Sequence, residues 1–308
     1  KRGGKGIVGL TTRDSDFVKD LIITSTHDYL LFFTDRGRMF KIKAYEIPEA
    51  SRTAKGTPVI NFLNLDQEER IAAVIPVSEY TEDDYLIMVT KNGTIKKTSI
   101  SQFSTVRKTG LNAIKLKDDD KLIGVAQSSS EDYVMLISKL GKAIIFHEDD
   151  IRGMGRTAVG VRGINLDKDD EVVSLVLLQN EDQTVLVMTT RGYGKRTKLS
   201  DYRIQSRGGK GIYTFDKNKI EKTGPLLGAV LVDTSDEIML INSDNVIIRI
   251  RAKDVSRSGR TTQGVKIMKV NKGQEIVAFA KVLENIEQAK RVREKAPKKS
   301  EDMQIRLI

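Results

Sequence analysis

The sequence of 308 residues has no cysteine, no tryptophan and only two histidines, His27 and His147. Without cysteine it can form no disulfide, no thiolate nucleophile and no zinc site built on sulfur. Two histidines are too few for a metal site with several imidazole ligands. No apolar run approaches the ~18 residues of a membrane span, and the start, Lys1-Arg2-Gly3-Gly4, is not followed by a hydrophobic signal region. We therefore expect a soluble, cytoplasmic protein.

Aromatic residues are also scarce, at 6% of the chain, and apolar residues make up 39%. Charged residues are abundant, at 31%, so surface is large relative to core. The 52 Lys and Arg outnumber the 42 Asp and Glu, which gives a net charge of +10. An excess of this kind predicts a polyanionic partner such as nucleic acid. Because few rings are available for base stacking, duplex phosphates fit better than a single strand.

An internal repeat organises most of the chain. Each copy has an apolar run, a turn centred on Gly or Asn, and a basic-apolar run, which is the pattern of a β-hairpin. Five copies occur, at residues 28–43, 84–97, 132–146, 183–196 and 236–250. After each hairpin come a basic loop ending in glycine and an acidic turn that leads into an apolar strand. Four strands per unit of about 50 residues predict the blades of a propeller.

The loop glycines set the predicted number of blades. They are Gly6, Gly56, Gly110, Gly160, Gly211 and Gly264, at intervals of 50 to 54 residues. Six loops predict an all-β disc of six four-stranded antiparallel blades over residues 1–282, with an incomplete first blade. We therefore expect the chain to begin inside a repeat and to be part of something longer. Residues 283–308 are predicted to form a charged tail.

The charge follows the same period. The segments 1–6, 36–56, 91–108, 139–162, 191–211 and 249–266 contain 32 of the 52 basic residues but only 7 of the 42 acidic ones. In a radially repeated fold, one position of every repeat maps to one rim of the disc. Cations on that rim repel one another, and a polyanion would relieve the repulsion. The alternative, a solvated face without a ligand, does not account for the period.

The most specific motif is Gln205-Ser206-Arg207-Gly208-Gly209-Lys210-Gly211, repeated at the start as residues 1–6. Paired glycines let the backbone approach a phosphate, and the flanking Arg and Lys add charge-assisted hydrogen bonds. The spacing of a Walker phosphate loop is absent. As a single copy, the motif would be interpreted as an ordinary glycine turn between strands.

Two such motifs in this repeat frame resemble the box Q-R-R-G-G-K-G of the C-terminal domain family of the DNA gyrase A protein. Ser206 departs from the box, and Lys1 stands at its second position. The resemblance implies a six-bladed β-pinwheel in which neighbouring blades exchange strands. It also implies that duplex DNA is bent or wrapped around the basic perimeter without sequence preference, so that the gyrase core can introduce negative supercoils. The corresponding domain of topoisomerase IV and a propeller that binds proteins are the alternatives.

The predicted DNA contacts are the boxes and the other cations of the basic segments. They are Lys1, Arg2, Gly3, Gly4, Lys5, Gly6, Arg36, Arg38, Lys41, Lys43, Arg52, Lys55, Lys91, Lys96, Lys97, Arg107, Lys108, Lys139, Lys142, Arg156, Arg191, Lys195, Arg196, Lys198, Arg203, Gln205, Arg207, Gly208, Gly209, Lys210, Gly211, Arg249, Arg251, Arg257 and Arg260.

We do not expect this chain to be catalytic by itself. The family's DNA-cleaving tyrosine belongs to another domain, and Tyr80 has no basic pair beside it. Acidic clusters at 82–84, 118–120 and 148–150 are predicted to be turn caps rather than Mg²⁺ ligands. The resemblance implies that ATP and Mg²⁺ act elsewhere in the holoenzyme, so no cofactor or metal is expected here. The implied partners are duplex DNA, the rest of the gyrase A protein and the gyrase B protein, with no membrane; the chain by itself is expected to be a monomer.

Overall fold

The structure, a computed structural model, describes residues 24–49, 57–128, 131–178, 180 and 182–282. Its strands follow the repeat. They are β1 (Tyr29–Thr34), β2 (Arg38–Lys43), β3 (Ile71–Val77), β4 (Tyr85–Thr90), β5 (Thr94–Ser99), β6 (Leu111–Asn112), β7 (Leu122–Ser128), β8 (Tyr133–Ser138), β9 (Lys142–His147), β10 (Val161–Arg162), β11 (Val172–Leu178), β12 (Thr184–Thr189), β13 (Tyr193–Lys198), β14 (Ile212–Tyr213), β15 (Leu226–Val232), β16 (Glu237–Asn242), β17 (Ile247–Arg251), β18 (Val265–Lys266) and β19 (Ile276–Val282).

Among the residues that the structure describes, helical structure is limited to single turns. One α-helical turn, α1, covers Ile220–Thr223. Short 3₁₀ turns cover Ala44–Glu46, Val59–Asn61, Ile100–Phe103, Glu148–Asp150, Leu199–Asp201, Lys217–Lys219 and Ala252–Asp254. No helix within the described ranges is long and apolar enough to cross a membrane.

The five predicted hairpins are confirmed. β1–β2, β4–β5, β8–β9, β12–β13 and β16–β17 pair antiparallel. Their turns contain Gly37, Gly93, Gly141, Gly192 and Asn245, all with φ between 59° and 93°. Only glycine, and less readily asparagine, adopts this left-handed conformation at low cost.

Each hairpin is the centre of a blade whose two outer strands come from different repeats. A third strand of the hairpin's own repeat pairs with one side, as in β3–β1–β2. The other side of the hairpin pairs with a two-residue strand from the next repeat: β6 with β2, β10 with β5, β14 with β9 and β18 with β13. Neighbouring blades therefore exchange strands, as the resemblance implied.

The interior explains why the strands are almost uniformly apolar. Leu86 and Met88 of β4 pack into a cluster shared with the first blade, whereas Ile87 and Val89 pack against β8 in the third. The central strands of the second, third and fourth blades, β4, β8 and β12, thus bury both faces, because a blade lies on each side of them. The third strands β3, β7, β11, β15 and β19 contact one another in sequence and form the inner side of the fold. The short exchanged strands consequently lie at the outer edge.

The prediction of six blades is wrong. The described residues form five sheets: four have four strands, and the fifth, β17–β16–β19, has three. The error came from counting loop glycines, although a blade depends on the hairpin that supplies its two middle strands. Gly6 was counted as a unit without a hairpin, and residues 1–23 lie outside the described ranges.

Gly192 offers a test of the turn geometry. A Cβ added there would lie 2.2 Å from the carbonyl oxygen of Met268, at a φ of +78°. We expect Gly192→Ala to lower the free energy of unfolding by roughly 1–3 kcal/mol or more, because left-handed strain and the backbone clash add. Urea unfolding measures this change.

Gly155→Ala is the matched control, since an added Cβ meets nothing within 4 Å and the backbone there is not left-handed. Its expected effect is within about 0.5 kcal/mol. Equal losses in the two variants would contradict the turn argument.

Candidate nucleic-acid interface

The basic loops lie at the outer edge because they connect a hairpin to the strand it lends to the preceding blade. Residues 152–160, 203–211 and 256–264 run beside the second hairpin strand of that blade. Parallel bridges join Lys97 to Gly153, Ile145 to Ile204 and Arg196 to Arg257. This alignment makes Arg156, Arg207 and Arg260 equivalent residues in three successive loops.

Ten of the predicted cations are exposed. They are Arg36, Arg107, Lys108, Arg191, Lys198, Arg203, Lys210, Arg249, Arg251 and Arg257. Four of the ten already have protein partners: Arg36 with Asp66, Arg249 with Glu237, Arg251 with Asp254, and Arg191 with the Glu221 carbonyl. The other six have no carboxylate within 4 Å among the described residues, so their charge is available to an external anion.

A second group of predicted cations is half-buried and linked to acids or to an aromatic ring. Arg38 pairs with Glu69 at 3.0 Å. Lys91 and Lys139 hold Glu171 between them at 2.8 and 2.9 Å, and the hydrogen bond from Lys91 lowers the pKa of that carboxyl. Lys41 and Lys43 lie over the ring of Tyr29. Part of the positive charge in the repeat therefore stabilises the domain itself.

Five predicted contacts, Lys96, Lys97, Lys142, Lys195 and Arg196, are buried. Lys142 Nζ lies 2.5 Å from Asp167, and Arg196 Nε donates to the Val255 carbonyl at 3.0 Å. The structure places these side chains in contacts within and between blades and not on the surface. Sequence periodicity did not distinguish them, because strand and loop cations follow the same period.

Lys97 makes a buried ion pair across two blades. Its Nζ lies 2.6 Å from Glu148 Oε1, and Glu148 is fully buried. Burial raises the pKa of Glu148, while Lys97 opposes the rise. The ring of Tyr85 covers the same ammonium at 4.5 Å. This pair joins β5 to the turn after β9.

Lys96 and Lys195 are fully buried without a carboxylate within 4 Å of Nζ in the described part of the chain. Burial lowers the pKa of each to about 7, and Arg156 and Arg260 respectively add to the effect. Their ammonium groups donate to backbone carbonyls instead. Lys96 contacts the carbonyls of Ala113 and Arg156, each at 2.5 Å.

The glycine-basic box over residues 205–211 also makes contacts within the protein. Gly208 N–H donates to the Gly163 carbonyl at 2.7 Å, and the Gly209 carbonyl accepts from Asn165 N–H at 2.9 Å. Arg207 donates from Nη1 to the Arg162 carbonyl at 2.7 Å and from Nε to the Asp150 carbonyl at 3.0 Å. The box therefore links two adjacent blades, while Lys210 beside it is exposed.

The remaining predicted contacts fall into two groups. Gln205 and Gly211 form the two ends of the box loop, where Gln205 N–H donates to the Ile145 carbonyl and Gly211 has φ +69°. The first box, Lys1 to Gly6, and the degenerate-box residues Arg52 and Lys55 lie outside the described residues.

Sequence reasoning missed several exposed cations on the same edge, including Arg152, Arg162, Lys253 and Lys266. All four lie in the periodic basic segments, so the charge count itself contained the signal.

The acidic turns act as caps where the structure describes them. Asp120 accepts the Asn92 and Lys121 N–H groups, and Asp170 accepts those of Leu140 and Glu171, all at 2.9 Å. No group of three or more metal-ligating side chains occurs in the described ranges. Tyr80 is packed against Tyr29, and burial raises the pKa of its phenol, which disfavours the phenolate that attacks phosphate.

Comparison with known proteins identifies this arrangement of exchanged strands and basic loops. The family model described as the DNA gyrase C-terminal domain, beta-propeller, matches residues 1–25, 28–78, 84–129, 132–179, 183–223 and 236–282. The chain belongs to this family. The matched segments cover all five hairpins and the first box.

Curated relatives agree with this assignment. The chain is 42% identical to the DNA gyrase A subunit of Salmonella typhimurium over 287 residues, covering 93% of this chain and 32% of the relative. It is 44% identical to that of Clostridium acetobutylicum over 282 residues, covering 92% and 34%. This gyrase-family chain therefore spans about a third of the length of these relatives.

Solved structures show the same fold. A DNA gyrase A C-terminal domain superposes with a TM-score of 0.76 at 28% identity, covering 92% of each chain. The C-terminal domain of a DNA topoisomerase IV gives 0.78 at 27% identity, covering 87% of this chain and 83% of the other. The fold is thus shared by the gyrase domain and its topoisomerase IV counterpart.

The buried ion pair yields a prediction about stability. Replacing Glu148 by Gln leaves the buried Lys97 ammonium with only the exposed Asp149 carboxylate, 3.9 Å away, as a charged partner. We therefore expect a loss of up to about 3–5 kcal/mol in the free energy of unfolding. The double variant Lys97→Met/Glu148→Leu should recover most of that loss, because both charges of the pair are then removed. Denaturant unfolding of Lys97→Met, Glu148→Leu and the double variant measures the coupling. Additive losses would show that the pair does not act as a unit.

Proposed function

We propose that this domain binds duplex DNA without sequence preference and bends it around its outer edge, as the non-catalytic DNA-wrapping part of a gyrase. One observation carries the proposal: exposed cations without an acidic partner recur on the loops along that edge. Arg107 and Lys108 lie on the loop after the second hairpin, Arg203 and Lys210 on the loop after the fourth, and Arg257 on the loop after the fifth. A curved row of cations matches the backbone of a bent duplex.

Bending is the part of the proposal that requires this arrangement. A smooth bend of 40–90° over 20–30 base pairs costs of order 1–6 kcal/mol, so contacts must be distributed along the curve. Phosphate contacts supply affinity without reading bases, and the two-residue outer strands offer no element that enters the major groove. The family membership supports the same role, with the rest of the gyrase A protein and the gyrase B protein as partners in the holoenzyme.

A topology assay tests the function directly. A nicked plasmid is sealed by ligase in the presence of the protein, the protein is removed, and the linking number is read on a gel. We expect a shift that grows with the amount of bound protein, because the writhe of DNA wrapped around the domain is retained after sealing as a change in linking number. The isolated domain should leave intact plasmid strands uncut. Tight binding without any change in linking number would mean that the domain binds DNA but does not wrap it.

Salt dependence distinguishes DNA contact from the alternative of a protein-binding propeller. On B-DNA the slope of log affinity against log salt is about −0.9 for each phosphate contact. Arg203→Gln/Lys210→Gln removes two exposed cations that have no carboxylate within 4 Å among the described residues. We expect the slope to become shallower by about two units. Fluorescence anisotropy titrations at several salt concentrations measure the slope.

Arg191→Gln/Arg251→Gln is the matched control, because it changes the net charge equally but removes side chains that already have protein partners. Its slope should change by less than about one unit. Equal effects of the two pairs would mean that net charge, and not the rim loops, drives binding.

A further inference from the structure

Two buried lysines occupy the same position in different repeats. Lys96 and Lys195 are each the third residue after a hairpin turn glycine, Gly93 and Gly192. Both side chains are fully buried, so neither ammonium can contact DNA in this structure. A buried charge is costly, and the cost is offset only where hydrogen bonds replace water.

The acceptors of the two ammonium groups are equivalent as well. Lys96 donates to the carbonyl of Arg156, and Lys195 to the carbonyl of Arg260, the corresponding arginine two loops later. Lys195 also donates to the Gly259 carbonyl at 2.6 Å and to Thr262 Oγ1 at 3.3 Å. Each buried lysine therefore anchors a basic loop through hydrogen bonds to the backbone carbonyls of that loop.

These contacts continue into the preceding blade. Lys96 Nζ donates to the Ala113 carbonyl, next to the exchanged strand β6 of the first blade. Arg260 Nη1 donates to the carbonyl of Tyr213 in β14, an exchanged strand of the third blade. Each lysine thus belongs to a chain of hydrogen bonds that joins the outer edges of two consecutive blades.

The box loop, residues 205–211, packs on an apolar residue and not on a lysine at the equivalent position, the third after a turn glycine. Ile144 replaces the lysine there, and its Cδ1 would lie 3.5 Å from a Cβ on Gly209. The loop sits on this apolar side chain, and Arg207 makes the link to Arg162 itself. The loops of Arg156 and Arg260, which lack the glycine pair, are instead held by a lysine. Phe40 takes this position in the first blade, beneath the loop that ends at Gly110, so an apolar residue there is compatible with the fold.

We propose that Lys96 and Lys195 are positioning residues that fix the angle between consecutive blades at the rim, and so the curvature of the bound DNA. The proposal rests on the proposed function. The proposal gives the cations two roles. Exposed cations bind phosphate, whereas Lys96 and Lys195 set the path of the bound DNA without contacting it.

The test uses Lys96→Met and Lys195→Met, each compared with Lys198→Met, which removes an exposed cation at the end of the strand that contains Lys195. Hydrogen exchange is followed at the Ala158 and Thr262 amides, which donate to Gly155 and Gly259 within the two loops. We expect exchange at least tenfold faster in the matching loop of each buried-lysine variant, and no change for Lys198→Met.

DNA measurements supply a readout that a loss of stability alone would not give. In the buried-lysine variants the linking-number change per bound molecule should fall by half or more, while the salt slope stays within about half a unit. Lys198→Met should show the reverse: a salt slope that is shallower by about one unit, and an undiminished linking-number change per bound molecule.

A rescue variant guards against simple misfolding. Lys195→Ile combined with Thr261→Gly and Thr262→Gly reproduces the apolar seat and glycine pair of the box loop, and should restore slow exchange and topology relative to Lys195→Ile alone. Unchanged exchange, or faster exchange with unchanged topology, would overturn the proposal, as would failure of both methionine variants to fold. If exchange increases as expected but the wild-type domain does not alter linking number, the proposed function fails. The conclusion that the two lysines hold their loops in place would still stand.

Discussion

The exchange of a two-residue strand between neighbouring blades is the constraint on which the rest of the structure depends. The outer side of a hairpin presents unpaired backbone groups, and the next repeat supplies the strand that pairs with them. To reach that position, the chain must leave its own hairpin and cross to the preceding blade. The crossing is the basic loop, so pairing of the backbone itself carries the cations to the rim.

This constraint also explains why cations serve two purposes. Each crossing brings the loop of one repeat against the hairpin of another, and the joint contains backbone carbonyls and carboxylates that need donors. Lys97 meets Glu148 there, and Lys195 meets the carbonyls of Gly259 and Arg260. Other loop cations, such as Lys210 and Arg257, remain exposed to water. Lysine and arginine therefore serve both in the contacts between blades and as the exposed cations of the rim.

The box fits the same scheme. Its glycines let the loop lie close to an apolar strand, since a Cβ on Gly211 would stand 2.6 Å from the Ala143 carbonyl. Its arginine binds the neighbouring blade, and its lysine remains exposed. The motif that resembles the gyrase box thus joins blades and presents charge in one short segment.

Local patterns in the sequence determined the hairpins, the turn glycines, the period of the basic loops and the family. Short-range rules suffice for these features, because a left-handed turn or an apolar strand is visible in a few residues. Tertiary structure decided the number of blades, since a blade needs a hairpin as well as a loop. It also decided which cations are exposed: Lys97 and Lys198 look alike along the chain, but one faces a neighbouring blade and the other faces water. Burial depends on partners about 50 residues away, and no local pattern contains that information.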